Sequence, residues 1–345
     1  MASEKARVLL VGGGGVGAMA AYALEMGGKA EVTAVLRSNY SVVKERGFDI
    51  DSFQWGHDIK GWRPTEILPK VPDVAGSGMK PFDYLLVTTK NIPDVSPSVA
   101  DIIAPAVTPG HTAIILSQNG LNIENPVIAR FPTNPVISSI SRLGVAETSH
   151  GKILHEDSDS QTIGPFANPN VPFERAEELS KKYVELYSAA GRVKVLYEAD
   201  VQFTRWKKLL YNASYNTVCT VLRMDTTRMR VSRHVVDDLI RPIMLEIVSA
   251  AKACGTHLPP DLVETLIRHD PTDVINKPSM LQDVEKGNYL ELEIIVGEPL
   301  KEGEARGVSM PVLRTIYGIL KGLQLHIKEA KGVWEPKFAE DNPYQ

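Results

Sequence analysis

Lys208, Asn212 and Asn216, set four residues apart, are the most chemically loaded pattern in this 345-residue chain. On a helix that spacing puts all three on one face. A lysine and two carboxamides are poor core residues, so the face meets either solvent or a polar cleft. The neighbours Trp206, Leu209, Leu210, Tyr211 and Ala213 argue for a buried helix and hence for the cleft. There an amine can supply a proton while amides hold a polar substrate. A free lysine titrates at about 10.4, and burial beside Lys207 and Arg205 would favour the neutral form and so make the protonated amine a stronger acid, a better proton donor near neutrality. Standing alone, Lys208 would read as one more surface lysine of an amphipathic helix.

The second pattern is Gly12-Gly13-Gly14-Gly15-Val16-Gly17, directly after Arg7-Val8-Leu9-Leu10-Val11. Glycines at 12, 14 and 17 fit the G-x-G-x-x-G dinucleotide fingerprint at a strand-to-helix turn. Gly12 allows the tight turn, Gly14 a close backbone approach to a pyrophosphate, and Gly17 close packing of the helix on the strand. The anion would rest on the N–H groups of Gly15 and Val16 at the helix start. A glycine run alone also occurs as a flexible loop. Here Ala18 to Met26 can continue as a helix and Val32 to Leu36 reads as the next strand, completing a βαβ unit. Where an NAD enzyme places an acid on the ribose 2′-hydroxyl, this chain has Arg37, which suits a 2′-phosphate and tilts the cofactor to NADPH/NADP+. A solvated surface arginine is the alternative, and Ser38 and Asn39 are candidate helpers.

The elements that must position these residues follow from the rest of the chain. Its length exceeds what one core usually serves, and 43% hydrophobic residues allow two domains to bury cores. A formal net charge of −4, with lysines and arginines scattered, gives no basic field and argues against a nucleic-acid partner. Cys219 and Cys254 are too few for a disulfide framework or a zinc cluster, so both read as reduced, buried small residues, and no metal is expected. No stretch approaches the roughly 20 apolar residues that span a bilayer. The N-terminus runs almost directly into the glycine-motif strand, which argues against a signal peptide and for a cytoplasmic protein.

After Arg37, Phe48 to Trp62 reads as a β-excursion, and Pro69 to Pro81 as a surface loop. Asp83 to Thr89 is a central strand ending at Lys90, which as a strand-end residue fits a cofactor contact and a plain surface lysine equally. A helix from about Ser96 to Ala104 leads to the strand Thr112 to Leu116 and its polar end Ser117-Gln118-Asn119-Gly120. Asn119 can donate and accept, which suits it to bridge the nicotinamide end and a substrate. Val136 to Ser141, Lys152 to His155 and Gln161 to Ile163 are expected to finish the same sheet. A helix from Glu174 to Ala190 and an edge strand at Val193 to Val195 close this domain. From about Glu198 the periodicity becomes helical. The expected fold is α/β: an N-terminal Rossmann-type dinucleotide-binding domain (1–197) followed by an all-helical substrate and catalytic domain (198–345). Its helices fall at about Val235 to Cys254, Asp261 to Arg268, a segment from Pro278, one holding Glu291, and a last one from Pro311 to about Lys331. Residues 335–345 read as a tail.

In the same order, over nearly the whole chain, these stretches resemble the ketopantoate reductase family. The matching pieces are Gly12-x-Gly14-x-x-Gly17, Leu36-Arg37, Leu86-Val87-Thr88-Thr89-Lys90, Gln118-Asn119-Gly120, Trp206-x-Lys208-Leu209-x-x-Asn212-x-x-x-Asn216, and Ser279-Met280-Leu281-Gln282-Asp283 followed by Glu291. The resemblance implies that Lys208 is the general acid and that Glu291 supports the substrate hydroxyl and the lysine. It implies that Asn119, Asn212, Asn216 and Ser279 contact a small 2-oxo acid, and that Arg37 and Lys90 serve NADPH. The reaction implied is 2-dehydropantoate to pantoate, in pantothenate biosynthesis, with the site in an interdomain cleft. A homodimer is compatible with the sequence. The chain departs from the family at Thr217, where proline is common, and at Val296, where asparagine is usual. Its 51–80 excursion and its tail after Lys331 look longer than in compact bacterial relatives. A reductase of another 2-oxo acid or ketone therefore stays open, as does a catalytically silent NADPH sensor, against which Lys208 and Glu291 speak. A β-hydroxyacid dehydrogenase shares the Lys208–Asn212 spacing but fits less.

Overall fold

The computed structural model describes residues 4–271, 273–337, 340, 343 and 344. Part of the expected tail therefore lies outside the described residues. The chain divides into two compact units, the first ending at Thr204 and the second beginning at Arg205. The division falls seven residues later than residue 197 because the first turn of the helix Val201–Tyr211 belongs with the first unit. Gly164 backs so closely on the Glu198 carbonyl that a Cβ would lie 1.7 Å from its oxygen, and Thr204 Oγ1 donates to Glu198 Oε2 at 2.5 Å.

The strands of the first unit are β1 (Ala6–Val11), β2 (Ala30–Val35), β3 (Phe48–Ser52), β4 (Gly56–Trp62), β5 (Glu66–Leu68) and β6 (Tyr84–Val87). They continue with β7 (Ala113–Leu116), β8 (Val136–Arg142), β9 (Val145–Ser149), β10 (Lys152–His155), β11 (Ser160–Pro165) and β12 (Lys194–Tyr197). Eight form one sheet in the order β12-β11-β8-β7-β6-β1-β2-β5. All its pairings are parallel except β8 with β11. Continuous apolar runs make this possible, because a strand covered on both faces must be apolar on both: β6 and β7 are buried at every position. From β5 to β8 the order is that of a doubly wound nucleotide-binding sheet, and the winding reverses between β1 and β6.

The Lys152–His155 strand does not finish this sheet. It pairs in parallel with β3 and antiparallel with β9, giving a second sheet in the order β4-β3-β10-β9. The excursion is thus half of a small sheet on the helix α1 (Gly15–Met26). Tyr22 of α1 meets Trp55 and Trp62 edge-on, at ring-centroid distances of 5.2 and 5.0 Å. Two shorter differences arise next to it. Glu66–Leu68 adds a main-sheet strand where none was expected, and the loop from Pro69 contains a helical turn, Val74–Ser77, capped by Asp73 Oδ1 accepting from Gly76 N at 2.9 Å.

Ser52 and His155 lock the second sheet. Ser52 Oγ accepts from the backbone N–H groups of Gln54 (3.2 Å) and Trp55 (3.0 Å), so its own hydrogen goes to His155 Nδ1 at 2.8 Å. Burial holds His155 below its ordinary value of 6.5, with Asp157 opposing weakly. Below that value the unfolded chain binds a proton that the native imidazole resists, so this residue's stabilisation is present above pH about 6.5 and is lost as pH falls below it. Thermal unfolding followed across this window should show stability decreasing on acidification, with a shallower slope in His155→Gln.

The second unit is helical. Pro311–Ala330 begins with proline in its first turn, and Glu246 accepts the N–H groups of Val312 (3.0 Å) and Leu313 (2.9 Å). Among the described residues three helices contain π turns, at Asn212–Asn216, Val236–Ile240 and Glu293–Gly297. Among the described residues no helix is long and apolar enough to cross a membrane. Cys219 is buried as expected, whereas Cys254 is only partly so.

Candidate functional site

In the first unit the expected residues gather at the carboxyl end of the parallel strands. Gly12 has φ +117°, a conformation that strains any residue with a side chain. A Cβ on Gly17 would lie 1.9 Å from the Gly12 carbonyl oxygen, so only glycine lets α1 pack this closely. Gly14, by contrast, faces open space, with no atom within 4 Å of an added Cβ. No side chain caps α1 and its first turn holds no acidic residue, which leaves the N–H groups of Gly15 and Val16 for an anion. A tight turn, an open face at the second glycine and an uncapped helix start fit a dinucleotide pyrophosphate.

Arg37 is exposed just beyond the end of β2 and has no hydrogen bond or ion pair among the described residues. Asn39, a candidate helper, is buried. It is 3% exposed, and its Nδ2 donates to Gly13 O and to Glu147 Oε1, both at 2.8 Å. Lys90 is exposed three residues after β6, and Asn119 is half-buried three residues after β7. Two residues without an expected role hold these strand ends together. Thr88 Oγ1 donates to Gly12 O (2.7 Å), and Gln118 Nε2 donates to Thr89 O (2.7 Å). Both sit in the polar strand ends visible in the sequence; only the partner of each was hidden.

In the second unit Lys208 is half-buried on Val201–Tyr211, and Asn212 and Asn216 are buried at the two ends of the π turn that continues this helix. The amides meet, Asn216 Nδ2 donating to Asn212 Oδ1 at 3.4 Å. Asn216 Oδ1 is buried without a partner among the described residues, an expense of about 1–3 kcal/mol that a substrate donor would relieve. Ser279–Glu285 and Glu293–Gly297 both pack against the π turn. Ser279 opens its helix and is exposed; Glu291 is 3% exposed and precedes its helix instead of lying in it, its carbonyl accepting from Ile295 N at 3.2 Å. The structure thus brings together the elements carrying Asn212, Asn216 and Ser279 and the helix that Glu291 precedes, with Lys208 one turn before them. Thr217 Oγ1 donates to the carbonyls of Ala213 (2.7 Å) and Ser214 (2.9 Å) and supports the widened turn. Val296 is fully buried.

A second feature could not be read from spacing. Tyr211 OH donates to Asp270 Oδ2 at 2.6 Å, and Tyr211 stacks on Tyr215 at 4.9 Å. Burial raises both phenols, with Asp270 adding to the rise. Among the described residues no set of three or more His, Cys, Asp or Glu could hold a metal ion.

Two family models match in succession: Ketopantoate reductase PanE/ApbA over residues 8–168 and Ketopantoate reductase PanE/ApbA C terminal over residues 200–324. The chain belongs to the ketopantoate reductase family. An uncharacterised protein of Saccharomyces cerevisiae is 33% identical, over 95% of this chain and 96% of its own. The 2-dehydropantoate 2-reductase of a Nostoc species is 24% identical over 91% and 94%. Among solved structures, the 2-dehydropantoate 2-reductase of Methylococcus capsulatus is similar with a TM-score of 0.78 and 29% identity, over 93% of this chain and 97% of that one. As a ketopantoate reductase family member the protein is a nicotinamide-dependent oxidoreductase acting on a CH–OH group.

Proposed function

We propose that the protein uses NADPH to reduce a 2-oxo acid to the 2-hydroxy acid, with 2-dehydropantoate as the substrate that family membership favours. The observation that carries the cofactor reading is Arg37, a guanidinium exposed beyond β2, unpaired among the described residues, on the same strand edge as the open face of Gly14. In this reading the first unit is the NADP-binding domain. Gly12, Gly14 and Gly17 shape the turn, the N–H groups of Gly15 and Val16 hold the pyrophosphate, Arg37 the 2′-phosphate, and Lys90 and Asn119 the nicotinamide end. When bound, NADPH supplies a hydride to the carbonyl carbon.

The second unit is the substrate and catalytic domain. Asn212, Asn216 and Ser279, with Asn119, hold the carboxylate and carbonyl of the oxo acid. Lys208 Nζ gives a proton to the carbonyl oxygen as negative charge develops there, and Glu291 accepts from the lysine and from the new hydroxyl. Val296, an apolar residue where the family usually has asparagine, favours a second reading in which the 2-oxo acid or ketone is not 2-dehydropantoate. A turnover assay with NADPH and a panel of 2-oxo acids decides between them, and activity with none overturns both.

Arg37→Ala should weaken NADPH binding by about 10–150-fold, the loss of a charge-assisted contact, and leave NADH binding nearly unchanged. Titration of wild type and variant with each cofactor checks this. Equal losses would remove Arg37 from the phosphate.

A further inference from the structure

The nucleotide turn is not held by the Rossmann-type sheet alone. Strand β9 of the second sheet touches it in two places. A Cβ on Gly15 would lie 3.0 Å from a Val145 methyl and 3.2 Å from the Ala146 carbonyl carbon. Farther along, Glu147 reaches the turn through Asn39. Both Nδ2 hydrogens of this buried amide are committed, one to Gly13 O and one to Glu147 Oε1. The same Oε1 accepts the Gly151 N–H at 3.0 Å and so closes the turn between β9 and β10. A carboxylate acceptor makes these charge-assisted bonds, stronger than neutral ones. Gly13 itself leaves no slack, since a Cβ there would lie 2.1 Å from Leu36 Cδ2.

The geometry points to Glu147 as a positioning residue for the dinucleotide: through Asn39 it fixes the Gly13 carbonyl, and with it the direction in which the following N–H groups point. The inference rests on the cofactor reading above. A peptide whose carbonyl is pinned cannot flip, so Gly14, Gly15 and Val16 present their N–H groups already ordered, and binding need not supply that ordering. Glu147 touches no part of the reaction. Its carboxylate acts on the apo turn.

Glu147→Ala should raise the Kd for NADPH, measured by cofactor fluorescence without substrate, by about tenfold, with a matching rise in the cofactor KM and little change in kcat. Glu147→Gln keeps an oxygen that can accept from both Asn39 and Gly151, and should restore binding to within about threefold. In the protein without cofactor, amide exchange at residues 13–16 should be faster in Glu147→Ala than in wild type and restored in Glu147→Gln. Should Glu147→Ala not fold, Asn39→Asp, which faces the Gly13 and Glu147 oxygens with a carboxylate, should show the same losses. Wild-type affinity and wild-type exchange in a folded Glu147→Ala or Asn39→Asp overturn the brace. A glutamine variant as impaired as the alanine one overturns it too. If wild type binds no nicotinamide cofactor, the functional reading fails, and the exchange comparison still decides whether Glu147 orders the turn.

Discussion

Replacing Lys208 by alanine is expected to lower turnover by about 10²–10⁴-fold while NADPH still binds, the usual contribution of a positioned general acid. Three observations motivate it: the half-buried lysine one helical turn before the paired amides of Asn212 and Asn216, the Asn216 oxygen without a partner among the described residues, and the family. The pH profile separates proton donation from mere binding. Reduction needs the protonated amine, so turnover should fall as pH rises through the pKa of Lys208 in the complex, and that limb should vanish in Lys208→Ala. Glu291→Ala should damage turnover and substrate KM together, because in the proposed role it supports both the lysine and the substrate hydroxyl. Near wild-type turnover of Lys208→Ala across the pH range would show that the proton comes from elsewhere.

How much of this was legible depended on the range over which each contact acts. The central strands could be read because continuous runs such as Leu85-Leu86-Val87 and Ala113 to Leu116 are local statements of burial on two faces. Lys152–His155 was recognisable as a strand, but its partner was not, since its neighbour β3 lies about a hundred residues earlier and pairing leaves no mark in the strand's own composition. Asn39 was visible as a candidate helper two residues after Arg37, but its bond to the Gly13 carbonyl was not. Glu147 carried no signal at all, for its role depends on where the second sheet lies. The Lys208, Asn212 and Asn216 spacing was plain, but the π turn through the two asparagines was not: no residue in Asn212-Ala213-Ser214-Tyr215-Asn216 demands a widened turn, and packing decides it.

Gly14→Ala and Gly17→Ala should fail in opposite ways. Gly17 is a matter of folding. A methyl there would lie 1.9 Å from a backbone oxygen and 2.7 Å from Thr88 Oγ1, and a carbonyl inside a tight turn cannot rotate aside as a long side chain could. Overpacking of this kind usually costs about 1–3 kcal/mol, occasionally more, so the melting temperature should drop by several degrees and cofactor binding should fall with it. Gly14 is a matter of the ligand. Its φ of −73° and ψ of −173° suit alanine, and its missing Cβ would meet nothing within 4 Å. The apo variant should therefore melt no lower than wild type, and slightly higher if the methyl restricts the unfolded chain. The same methyl would fill the space assigned to the pyrophosphate and hold it off the N–H groups of Gly15 and Val16, so the Kd for NADPH should rise by about a hundredfold or more, the equivalent of one or two charge-assisted hydrogen bonds. Melting curves and cofactor titrations on the two variants separate these effects. A Gly14→Ala protein that binds NADPH as wild type does would mean that the pyrophosphate does not lie over this turn.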